Sequence, residues 1–165
     1  MGNVGYKAPL HLQRLPNLLV GCLQLGEHGV KGLGQRSLLR GLDPAAHIAL
    51  GQALSGLLGE NTLVIGSGFS FHNLSAFFEQ RAGAPDAAND AFQDWLIETC
   101  TGPLSQSERE QHLIGWEQAP SARYCHPREE HLLPLHVCLG MMGRPAALAF
   151  DDQILGKRSV AFLWR

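Results

Sequence analysis

The sequence predicts an α/β fold in a single domain, and three observations predict it. Asp43-Pro44 opens a run of apolar residues at helical spacing that lasts to Leu58. The uninterrupted apolar stretch Thr62-Leu63-Val64-Ile65 follows at once. Further helix starts then recur at Asp86 and Ser105, so helix and strand alternate along the chain as they do in α/β proteins. With 165 residues, 45% hydrophobic and 17% charged, the chain is long enough to bury a core of its own.

Each element has a local cause. Asp43 supplies an N-cap oxygen and Pro44 a φ already suited to the first helical turn. Ile48, Leu50, Ala53, Leu54 and Leu57 then form one apolar face, and Gly59 is the expected stop. Thr62–Ile65 reads as a buried strand because both of its faces are apolar. A second helix is expected from Asp86 through Thr99, ending at Gly102. A third is expected from Ser105, whose spacing to Glu108 is that of a capping box, to about Gly115. A fourth is placed from about Pro127 toward Gly140. Ala146–Asp151 and Ser159–Trp164, separated by Leu155-Gly156-Lys157, read as two strands joined by a loop. Residues 1–36 carry seven glycines, a density that opposes any regular element. At most one short element is expected there, in an atypical and poorly ordered segment.

Composition narrows the function. A net charge of −2, without basic runs interleaved with aromatics, argues against a nucleic-acid surface. The apolar stretches are too short to span a bilayer, so no membrane partner is expected. The four cysteines, Cys22, Cys100, Cys125 and Cys138, form no CxxC pair that would suggest structural zinc. No export signal is read at the N-terminus. Reduced thiols and a cytoplasmic location are the expectation.

Two segments concentrate chemistry. Gly66-Ser67-Gly68-Phe69-Ser70-Phe71-His72-Asn73-Leu74 follows the strand, where α/β sheets form their ligand crevice. Its small residues let backbone approach a ligand, and His72 is presented at the mouth, able to move protons near neutral pH. A P-loop is excluded because no Gly-Lys-Ser/Thr follows, and a nucleophile elbow because the Gly-x-Ser-x-Gly spacing is absent. The second segment is His126-Pro127-Arg128-Glu129-Glu130-His131-Leu132-Leu133-Pro134-Leu135-His136. Pro127 biases His126 toward an extended backbone. Glu130 and His131 are expected in the first turn of the helix. His131 and His136 lie five residues apart, about 140° around a helix, so a regular helix does not aim both at one metal ion. His131 is the better ligand candidate and His136 a packed or solvated residue, as His47 is on its helix. No HExxH pattern is present, which excludes the zinc-protease reading.

Together the two segments resemble the class III extradiol ring-cleavage dioxygenases of the LigB-like, DOPA 4,5-dioxygenase type. Ser37-Leu38-Leu39-Arg40-Gly41-Leu42-Asp43-Pro44, Trp116-Glu117-Gln118-Ala119-Pro120 and the final strands resemble it too. The resemblance runs from about Ser37 to Arg165. It implies a central mixed sheet flanked by helices, incomplete in this chain, and a non-haem metal, Fe(II) for activity with Zn(II) as an alternative occupant. It implies a small-molecule catechol substrate, DOPA-like, and O₂. His72 matches the family's active-site histidine, an acid–base residue beside the metal and sometimes counted among its ligands. It would take a catechol proton and return one during ring opening. His131 matches a metal ligand, and Glu130 is a second candidate ligand. Ser67 and His126 are the candidate substrate-binding residues.

The family's further metal-ligating histidines, in a His-Gly-x-Pro loop and a later Ser-x-His segment, have no counterpart here. Glu27-His28-Gly29 only faintly resembles the family's Asp-His-Gly, and the strand expected before Ser37 is missing. Residues 37–165 are thus expected to be the C-terminal part of a LigB-like domain in a truncated, spliced or frame-shifted form. Two functions follow: a dioxygenase homologue completed by a partner chain or missing segment, or a non-catalytic remnant acting as a binding or interaction domain.

Overall fold

The computed structural model describes residues 21–26, 29–33, 41–58, 62–79 and 85–165. Two strands, β1 (Gly21–Gly26) and β2 (Gly29–Leu33), come first, followed by helix α1 (Pro44–Leu54) with a 3-10 turn at Ser55–Leu57. Then come β3 (Thr62–Ile65), α2 (Leu74–Glu79), α3 (Ala87–Thr101), α4 (Gln106–Ile114), α5 (Ala122–Cys125) and α6 (Leu133–Met142). The hairpin β4 (Ala147–Ile154) and β5 (Lys157–Leu163) closes the chain. The α/β class holds.

The helix starts form as the sequence prescribes. Asp43 accepts from the Ala45 N–H with Pro44 in the first turn, and Asp86 caps α3 by accepting from the Asn89 N–H. Ser105 and Glu108 form the reciprocal capping box of α4. The expected stop at Gly59, His11, His28 and residues 37–40 of the family-like stretch lie outside the described residues.

Several expectations are corrected. β1 and β2 lie where at most one short element was expected, and β2 occupies ground just ahead of Ser37 where a strand was thought missing. Strand pairing can outweigh glycine's entropy when each backbone group gains a partner. β3 is not buried on both faces: Leu63 and Ile65 are 44% and 50% exposed. Among the described residues the strands form two antiparallel sheets, ordered β2-β1-β3 and β4-β5, instead of one mixed sheet. The fourth helix begins at Leu133, not near Pro127, because residues 127–132 form turns. α2 and α5 are short helices that no periodicity announced.

The main core packs Phe71, Phe92, Leu96, Leu113, Trp116 and Leu139 from five different segments. α1 and α6 cross so closely that a Cβ on Gly51 would stand 2.1 Å from the Val137 carbonyl oxygen, and one on Gly140 would stand 2.3 Å from that of Ile48. The two glycines bring α6 against α1 backbone to backbone, which fixes the start of α6 and hence the segment carrying His131. The hairpin is tied to α3 by a buried ion pair. Lys157 Nζ lies 2.5 Å from Asp86 Oδ2, and Tyr124 Oη donates to the same carboxylate at 2.8 Å.

Candidate functional site

The loop after β3 and the turns before α6 are stitched together by backbone. Phe69 N–H donates to the His131 carbonyl (3.1 Å) and His72 N–H to that of Cys125 (2.9 Å). Asn73 adds a side-chain bond to the Tyr124 carbonyl (2.7 Å) and accepts from the Ala76 N–H, capping α2. Gly68 makes the approach possible, since a Cβ there would sit 2.3 Å from the His131 carbonyl oxygen.

This stitching brings His72 and His131 face to face. Their ring centroids are 3.4 Å apart and their planes only 19° from parallel. Burial, then the neighbouring His72, holds the His131 pKa below the ordinary histidine value, against the opposing field of Glu130. Two stacked imidazolium rings would repel each other strongly.

The other sequence candidates are placed as follows. Glu130 pairs with Arg128 (Oε2 to Nε 3.1 Å). Ser67 is exposed on the loop. His126 is fully buried, with Nε2 2.9 Å from the Ser70 carbonyl and its ring packed against Phe92 and Trp116. It supports the loop from behind. Its pKa falls to about 4, chiefly through burial. His136 is packed, with its ring nitrogens against the Leu113 (2.8 Å) and Leu132 (3.2 Å) carbonyls. His47 is buried on the Asp43 carbonyl. Two residues that periodicity did not single out, Ser70 and Asn73, fix the loop; their place inside the glycine-rich motif was the available signal. Ser70 Oγ accepts from the Val160 N–H (2.8 Å), joining the loop to β5.

As arranged, the two histidines do not fit a shared metal ion. An imidazole donates in its ring plane at about 2.0–2.1 Å. A point midway between rings 3.4 Å apart lies about 1.7 Å (half of 3.4) out of each plane. Among the described residues, no three His, Cys, Asp or Glu side chains gather to hold a metal.

Comparison with known proteins supplies the family. The LigB family, the catalytic LigB subunit of aromatic ring-opening dioxygenases, matches residues 36–159. This chain belongs to the LigB family. The dioxygenase tasH of Hapsidospora irregularis is 32% identical over 138 residues, 79% of this chain and 43% of that protein. The 4,5-DOPA dioxygenase extradiol of Beta vulgaris is 39% identical over 110 residues, 66% of this chain and 39% of its own length. The protein of the same name from Portulaca grandiflora is 36% identical over 137 residues, 78% and 48% respectively. This LigB chain thus spans about half or less of these relatives. A crystal structure of an uncharacterized Escherichia coli K12 protein superposes with a TM-score of 0.57 at 25% identity, covering 71% of this chain and 48% of that one.

Proposed function

We propose that this LigB-family chain carries the acid–base part of an extradiol ring-opening site for a catechol, DOPA-like substrate, with O₂ as co-substrate. The observation that carries the reading is the contact of His72 with His131, made by the two segments richest in chemistry. A catechol is a weak acid whose first proton must leave before the ring is electron-rich enough to react with O₂. His72, held in ring contact with His131, is the residue placed to receive that proton from the diol oxygen. It is also the residue that returns a proton during ring opening. Ser67, exposed at the loop tip, remains a candidate for touching the substrate.

LigB-family dioxygenases depend on a non-haem metal, which supplies the activation of O₂. We infer Fe(II) in the active protein, with Zn(II) as an alternative occupant. His131, His72 and Glu130 are its candidate ligands, but the stacked rings would have to part, and further ligands would have to come from outside the described residues. We also infer a cytosolic setting, supported by the free thiols of Cys100, Cys125 and Cys138. Burial pushes these to about 12, 12 and 11, so they stay protonated and unreactive. No described helix is long and apolar enough to cross a membrane. The second reading, a non-catalytic binding or interaction domain, draws on the lack of a third grouped ligand among the described residues.

Titration of ¹⁵N-histidine-labelled protein with catechol separates the two. The ring-opening reading expects the His72 and His131 resonances to move while that of exposed His112 stays. Movement of neither favours the non-catalytic domain. Anaerobic loading with Fe(II), then DOPA and O₂, is expected to give no yellow ring-opened product from this chain alone. Robust turnover lost in His72→Ala would show that its own remaining residues complete the metal site.

A further inference from the structure

Among the described residues, β3 pairs only with β1 and β5 only with β4. Between β3 and β5 lies a groove of about 510 Å³ floored by Pro134, Cys138 and Met141 of α6. A strand that turned one face to a cavity would line it with alternate residues. Here Thr62–Gly66 and Val160–Trp164 line it with every residue in turn, so both strands present their edges. The loop that follows β3 reaches β5, where the Val160 N–H donates to Ser70 Oγ. Backbone N–H groups on one side of a strand recur every second residue. The Phe162 N–H therefore faces the groove as the Val160 N–H does.

The rim is apolar as well. Leu63, Ile65 and Leu163 are 44%, 50% and 38% exposed. Unpaired strand edges beside exposed apolar side chains form a template for another strand. The occupant follows from length. The match takes in only 43%, 39% and 48% of the relatives from Hapsidospora, Beta and Portulaca. It takes in 48% of the E. coli protein. More than half of each of these chains therefore lies outside the matched region.

We propose that this groove seats one extended strand, apolar toward α6, from the part of a LigB domain that the relatives carry outside the matched region. The strand would pair with β3 on one side and β5 on the other at about 4.8 Å each, joining the two sheets into one. About five residues, roughly 17 Å of strand, would fill both edges. The inference rests on family membership and not on ring-opening activity.

The probe is the segment of the Portulaca grandiflora relative outside its match to this chain, made as a separate polypeptide. It is also made fused ahead of this chain through a Gly/Ser linker, so that poor solubility of the free segment does not void the test. Hydrogen exchange is read with and without it. Amides of β3 and of Phe162 are expected to slow at least about tenfold, with α3 unchanged. The double variant Ile65→Lys/Leu163→Lys, at exposed positions, should weaken association at least about tenfold while α6 keeps its protection. Exchange unchanged at both edges in mixture and fusion, or full binding by the double variant, overturns the proposal. Edge protection that grows with the concentration of this chain alone overturns it too, in favour of a second copy in the groove.

Discussion

His126 and His136 are fully buried and neutral, and their surroundings explain why. His126 donates through Nε2 to Ser70, leaving Nδ1 unprotonated and without a hydrogen-bond partner. A second proton would place a charge in the core with nothing to receive it. Burial likewise lowers His136 to about 4. These depressed values make a stability prediction. In the unfolded chain each histidine takes up a proton near ~6.5, but in the native state only near 4. Stability is therefore complete above about pH 6.5 and is lost as pH falls toward 4, below which this contribution is flat. Each group contributes at most about 3 kcal/mol. Urea denaturation across pH 7.5 to 4 should show the loss, and His136→Gln should remove about half of the slope. Stability independent of pH in that window would contradict the assignment. His126 also shows where sequence reading stops. As a histidine in a motif it is indistinguishable from a substrate contact, and only its burial behind Ser70 gives it a supporting place. The meeting of His72 with His131 was legible because each stands in a segment of small or turn-forming residues at the end of an element.

Elements were legible where local chemistry decides them. The caps at Asp43, Asp86 and Ser105 satisfy orphan N–H groups from within a few residues, so the starts of α1, α3 and α4 follow from sequence. The start of α6 did not, because Pro127 permits a helix that backbone bonds from Phe69 and from the Glu129 turn pre-empt. The open edge of β3 was illegible as well: an apolar tetrapeptide does not say which neighbours will cover it. Long-range ties decide the rest. Arg109 is fully buried on α4 and donates to the Thr99 (2.6 Å) and Leu104 (2.9 Å) carbonyls, closing the α3–α4 corner. Arg109→Met keeps much of the packing but strands those carbonyls, and should cost about 2–4 kcal/mol by denaturant melts. Asp86→Ala removes the carboxylate that Lys157 and Tyr124 share and the N-cap of α3, and should cost about 1–3 kcal/mol. Gly51→Ala forces apart the α1–α6 backbone contact and should cost about 1–3 kcal/mol. A change below about 0.5 kcal/mol in any of the three would show that the named contact does not hold the fold together.

At the scale of the molecule, the LigB match, the paired histidines and the open groove between two sheets belong to one picture. Residues 62–73 and 125–136 are tied by the backbone bonds of Phe69 to His131 and of His72 to Cys125, and they carry the candidate site. A direct measurement of whether one site exists at all is the titration of individual imidazoles by ¹⁵N NMR in the wild type and in His72→Gln. The account predicts that His131 titrates below an ordinary histidine, and that removing the His72 ring moves its pKa back up while His112 is unchanged. A His131 titration at the ordinary value, indifferent to His72→Gln, would contradict the shared site and the function built on it.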